Sequence, residues 1–196
     1  MVKHIRRLAV LTTAMALSAG LAANAGPLAD AAVQAEKLAA SGDAAKAHEL
    51  LRQAMSDFSQ TLPLAIGKAV FVTKAPTGYA MYDPREGAVF KEGESLISYI
   101  EPIGLTWKDS VTKGQLESHF TVDFDILNPK GDVLAGQKAF GDFTFTGHLR
   151  NQEIYSTLTI DVSGAPAGDY VLRFHFNDVN SGKSASVDQP FKIAGP

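Results

Sequence analysis

The chain contains no cysteine, which excludes a disulfide framework, a thiol nucleophile and a lipidated N-terminal cysteine. It has one tryptophan, Trp107. It also lacks a hydrophobic run of membrane-spanning length: the most apolar stretch, Leu8 to Leu21, falls short of the roughly 20 residues a transmembrane helix needs. An excess of positive charge is missing too, with 18 Lys and Arg against 21 Asp and Glu. That balance gives no electrostatic basis for binding nucleic acid or an anionic membrane surface. Stability must therefore come from burial of a core, which a domain of this size can supply alone.

The N-terminus is informative about compartment. Residues 1–25 begin with Lys3, His4, Arg6 and Arg7, pass through the apolar stretch, and end on Ala23-Asn24-Ala25. Basic, apolar and small-x-small segments in that order form a secretory signal peptide. The expectation is cleavage after Ala25 by the general export route and a periplasmic, or secreted, protein starting at Gly26. Three basic and no acidic residues lie in the segment, so its loss makes the rest more acidic.

Two regions of different periodicity follow. Residues 26–65 are rich in Ala, Leu, Gln, Glu and Lys, which favour helix, and Pro27 suits a first helical turn. Ser41-Gly42-Asp43 supplies a helix stop and then an N-cap, so the spacing predicts a helical hairpin. Ala47, Leu50, Leu51, Ala54 and Phe58 recur every three or four residues on its second arm. The segment "SGDAAKAHELLRQAM" resembles the second half of a tetratricopeptide repeat, in a single copy that lacks the bulky aromatic positions of the first helix. The hairpin reads either as a cap on the following domain or as a docking element, with Leu51 on the docking face.

In the second region, residues 66–196, the period changes from 3.6 to 2 from about Ala69 onward. Phe120, Val122, Phe124 and Ile126 alternate with Thr121, Asp123 and Asp125; Ile154, Leu158, Ile160 and Val162 share one face; Tyr170, Leu172, Phe174 and Phe176 share another. Such alternation marks half-buried antiparallel strands. Turns at Asn128–Asp132, Gly164–Gly168 and Asn180–Gly182 separate seven to nine of them. Strands of this length and spacing predict a mainly β protein, an antiparallel β-sandwich. Tyr170 after a Pro and Gly turn looks like the tyrosine corner of immunoglobulin-like domains, and Trp107 suits a central strand.

The stretches "GYAMYDPREGAVFKEGESLISYIEP", "FTVDFDILNPKGDVL" and "GDYVLRFHFNDVNSGKSASVDQPFKI" together resemble exported bacterial proteins built on an immunoglobulin-like module. The resemblance implies that fold and compartment for residues 69 to 194, and carries no catalytic residues across.

Chemical motifs are sparse. Gly182-Lys183-Ser184 ends like a phosphate loop, but the required earlier glycine is Asn177 and a strand follows instead of a helix. Asp123, Asp125 and Asn128, and also Asp178 and Asn180, invite calcium, yet Leu134 and Gln189 occupy the places of the bidentate glutamate; Asp123 and Asp125 read as a solvated strand face. His119 and His175 would meet only if their strands paired, which would make them weak candidates for a transition-metal site. No nucleophile elbow or zinc-protease helix occurs, so no catalytic residue and no cofactor is assigned, and a hydrolase is the least supported alternative. The most distinctive surface is "TGYAMYDPREG": Tyr79, Met81, Tyr82 and Arg85 are of types enriched at interfaces. The alternative is that the tyrosines close a sandwich edge while Arg85 pairs with a carboxylate such as Glu101. The reading that results is a non-catalytic adaptor of an envelope or periplasmic assembly, with a metal- or glycan-binding module as its competitor.

Overall fold

A computed structural model describes residues 26–195; the segment read from the sequence as a signal peptide lies outside them. Helix α1 (Pro27–Ala40) starts on Pro27, and α2 (Ala44–Gln60) starts where the Asp43 side chain accepts the Lys46 N–H. The break between them is the Ser41-Gly42-Asp43 turn, with Gly42 at φ +86°. Each helix buries an alanine, Ala35 on α1 and Ala47 on α2. No helix among the described residues is long and apolar enough to cross a membrane.

The rest is mainly β, in two curled sheets. Strands β1 (Ala65–Phe71), β3 (Leu96–Ile103) and β7 (Ser156–Ile160) form an antiparallel sheet in the order β1-β3-β7. The larger sheet contains β2 (Val89–Phe90), β4 (Lys108–Asp109), β5 (Leu116–Leu127), β6 (Val133–Gly147), β8 (Gly168–Asp178) and β9 (Ser184–Ile193). Its order is β2-β9-β8-β5, with β6 along the far side of β5 and β4 beside the start of β5. The apolar face of each sheet meets the other in one core. Leu96, Ile100, Leu158 and Ile160 come from the small sheet, and Phe120, Val122, Leu172, Phe174, Phe176, Phe191 and Ile193 from the large one. These are the alternate positions that the period of two selects.

Departures from the sequence expectation have local causes. Strand β1 begins at Ala65, before the Ala69 start read from sequence, because a bulge near Gly67 shifts the register and hides the alternation. Trp107 is buried, but in the crossover between β3 and β4 and not in a central strand. Tyr170 does reach back, its hydroxyl donating to the Pro166 carbonyl at 2.7 Å. The Gly182-Lys183-Ser184 fragment is the β8–β9 turn. There Asp178, itself buried, accepts from the Thr106 N–H (2.9 Å), the Asn180 N–H (2.9 Å) and the Ser181 hydroxyl (2.7 Å). Lys183 reaches out of this turn and donates to the Leu62 carbonyl (2.9 Å) and the Gly104 carbonyl (3.3 Å).

The hairpin is fixed to the sheets at the end of α2. The Gln60 amide donates to the Leu105 carbonyl (3.0 Å) and accepts the Trp107 N–H (3.1 Å), as a neighbouring strand would. An Arg150–Asp57 ion pair at 2.6 Å lies beside it.

Candidate functional site

Alternation along β3 sends Leu96, Ser98 and Ile100 into the core and Tyr99 and Glu101 to the outer face of the small sheet. Tyr99 is nevertheless 0% exposed. The irregular segment 72–88 folds back over it, held by a bridge from Val72 to Pro84 and a tight turn from Gly78 to Met81. Ala80 occupies the left-handed region in that turn, at φ 58°. Its N–H donates to the Tyr99 hydroxyl at 2.8 Å.

The same hydroxyl donates to Glu101 at 2.8 Å, and the Tyr79 hydroxyl donates to the other Glu101 oxygen at 3.3 Å. Tyr82 stacks on Tyr99 with ring centres 4.3 Å apart, and Tyr155 stacks on it at 5.3 Å. Lys68 donates to the Tyr82 hydroxyl at 3.0 Å. Four of the chain's five tyrosines thus converge on Glu101 and its surroundings. Burial first, then the Glu101 carboxylate, pushes the Tyr99 phenol well above its ordinary range; the same two causes raise Tyr79. Both phenols are thereby held as hydrogen-bond donors to Glu101, and the cluster clasps the 72–88 segment onto the sheet.

Arg85 belongs to the base of this clasp. It pairs with Glu94, not with Glu101, donates to the Val89 carbonyl at 2.9 Å, and lies 4.2 Å over the Phe90 ring. Glu94 is held below the usual carboxylate range by the Lys91 N–H and then by Arg85, against the opposing effect of burial. Of the four residues singled out in this stretch, Met81 alone is largely free, at 62% exposure.

Tyr79 also has a second neighbourhood. With Met55, Phe58 and Leu62 from the hairpin, and Pro102, Ile103, Leu105, Trp107 and Ile154 from the β body, it lines a groove of about 220 Å³. On α2, Leu51, Met55 and Phe58 are 44%, 51% and 43% exposed. Their spacing of four and three puts them in one strip running into the groove. Of the two surfaces read from the sequence, Tyr79 lines this groove directly, and Leu51 lies one turn along α2 from Met55 at its wall. Met55 and Ile103 were missed, although the Leu51-Met55-Phe58 spacing was visible. A second hollow of about 570 Å³ opens between the helices, lined by Leu28, Ala31, Leu50, Ala54 and Phe58. Ala47 of the predicted apolar stripe is buried, whereas Leu51 and Phe58 remain open.

The histidines do not come together. Strands β5 and β8 do pair, but His175 lies opposite Asp123, four residues from His119, which is roughly 13 Å at the rise of a strand. Each holds its own carboxylate: His119 with Asp142 at 2.8 Å, and His175 with Asp125 at 3.0 Å. Among the described residues no three His, Cys, Asp or Glu side chains gather as a metal site. Asp123 is not a solvated strand residue. It accepts the Ala139 N–H (2.7 Å), Lys138 (3.2 Å) and Asn177 (3.3 Å) where β6 bulges away from β5.

No family model matches this sequence, and no curated protein matches it. Among solved structures, a family 123 glycoside hydrolase from Clostridium perfringens aligns with 69% of this chain and 28% of its own, at 14% identity and a TM-score of 0.39. The alkylpurine DNA glycosylase AlkC of Pseudomonas fluorescens aligns with 79% of this chain and 40% of its own, at 13% identity and a TM-score of 0.30. The chain spans less than half the length of either protein, and likenesses this slight carry no inference about its chemistry.

Proposed function

We propose that this is a non-catalytic periplasmic adaptor or accessory protein, exported by the signal peptide at residues 1–25, that acts through protein contacts. In this reading the β region is an immunoglobulin-like sandwich preceded by a helical hairpin. The two facing sheets and the Tyr170 to Pro166 hydrogen bond support that fold.

The observation that carries the function is the exposed strip of Leu51, Met55 and Phe58 leading into the groove beside Tyr79. Exposed apolar side chains that form a continuous surface, and not scattered singles, mark interaction sites. Such a strip suits an apolar helix or loop of an envelope protein, with Tyr79 as a rigid anchor. The competing metal-binding reading loses support because His119 and His175 are separated and each is already paired.

The test uses the exported protein as bait in periplasmic extract, beside Leu51→Glu and Met55→Glu, with Val111→Glu as a control at a fully exposed site in the turn between β4 and β5, which neither lines the groove nor belongs to α2. A partner retained by wild type and by the control, and released by both strip variants, supports the reading. Equal retention by all four proteins overturns it.

A further inference from the structure

Strand β6 is 15 residues long and pairs with β5 alone. Its first half is a poor template: Gly136 lies against β5, Lys138 is charged, and Ala139 bulges at φ 48°. The second half, Gly141 to Gly147, is regular and pairs residue for residue with Leu116–Val122. Among the described residues no backbone hydrogen bond joins 141–147 to anything except β5. A long edge of this kind presents a row of free N–H and C=O groups, and natural sheets blunt such edges with proline, lysine or a bulge. Residues 141–147 contain none of these. The other edges are short or blunted: β2 has two residues and β7 has five, β1 has seven with a bulge beside Lys68, and the side of β9 that β2 leaves open contains Pro190.

The side chains of this segment are self-complementary. Phe143 and Phe145 point inward and are only half-buried, both stacked on Phe120; Asp142, Thr144 and Thr146 point outward and are exposed. An antiparallel pairing with a second copy, centred on Thr144, uses all seven residues. It sets Phe143 against Phe145 of the other copy, Asp142 against Thr146, and Gly141 against Gly147. Aromatic cross-strand pairs stabilise such contacts, while like charges directly opposite destabilise them. A register centred on Asp142 would oppose two carboxylates; the one on Thr144 avoids this.

We infer that residues 141–147 of β6 form an edge-to-edge interface with β6 of a second copy, related by a two-fold axis at Thr144, joining the two large sheets into one. The inference is independent of the adaptor reading, since β6 does not line the groove beside Tyr79.

The absence of cysteine makes the register directly testable. Opposed Cα atoms in an antiparallel pair lie about 4.5–5.5 Å apart, within disulfide range. In the exported protein, Thr144→Cys is expected to cross-link to its own copy under mild oxidation at least about tenfold faster than Thr146→Cys, whose mate is displaced by four residues. Sedimentation of wild type should show a dimer forming within about 1–100 µM, as suits a small interface. Thr144→Lys, at an exposed site, should weaken that dimer at least about tenfold by opposing two ammonium groups, with its circular dichroism unchanged. A wild type that stays monomeric through this range overturns the inference. So does a dimer that Thr144→Lys leaves intact, or equal cross-linking by the two cysteine variants.

Discussion

Gly104 turns the chain out of β3 at φ +80°, in a region where side chains are disfavoured. An added Cβ would also run into the Pro63 carbonyl oxygen. Gly104→Ala is therefore expected to cost about 2–3 kcal/mol, from backbone strain and a clash against an atom that cannot swing aside. Urea unfolding measures it, and a loss below about 0.5 kcal/mol would mean that the Pro63 segment yields freely. Asp123 gives a prediction in pH. Burial alone would raise its carboxyl, but the Ala139 N–H, Lys138 and Asn177 together hold it below the usual range. A depressed native value means that this carboxylate stabilises the fold at pH above the unfolded value near ~4, and that the contribution fades as pH falls through the lower native value. Asp123→Asn should be less stable than wild type at pH 7, and the difference should close at acid pH. A difference that stays constant across that range would show that the charge is irrelevant.

Between elements, the hairpin is attached through the Gln60 side chain, which engages the crossover after β3 through both of its amide atoms. Removing it strands a carbonyl and an N–H in part-buried surroundings, so Gln60→Ala is expected to cost about 1–3 kcal/mol. Hydrogen exchange would check the location: protection should fall at Leu105–Trp107 and at the end of α2, and remain in β5 and β8. The elements themselves were legible to the degree that they are local. The hairpin break was visible in Ser41-Gly42-Asp43, and β5, β7 and β8 in alternation, because caps and half-buried strands leave marks in adjacent residues. Strand β6 was weak in sequence because its first half is exposed and bulged, so burial did not select a pattern there. The tyrosine clasp was only half visible. Tyr79 and Tyr82 stood out in an irregular segment, whereas Tyr99 and Tyr155 sit in or beside strands, and only tertiary folding brings them over Glu101. The sequence hides the roles of Asp123, which reads as a solvated strand residue, and of Asp178, which reads only as a calcium candidate, because the backbone amides they satisfy lie 16 and 72 residues away.

At the scale of the molecule, two kinds of surface stand apart: an apolar groove where the hairpin meets the sheets, and a strand edge on the large sheet. One suits an inserted side chain or helix from a different protein, the other a copy of the same strand. The two therefore make separate demands, with charged substitutions in the groove expected to affect partner retention and Thr144→Lys expected to affect self-association. The joint between hairpin and sheets matters to the first of these. The connecting residues Thr61 to Leu64 would by themselves be a hinge, but Gln60 grips the crossover on one side and Lys183 holds Leu62 and Gly104 on the other. Braced in this way, the 17-residue α2 is a lever about 25 Å long. A pull at its far end, near Asp43, would be delivered as torque to the β3–β4 crossover and the β8–β9 turn instead of being dissipated in a slack linker.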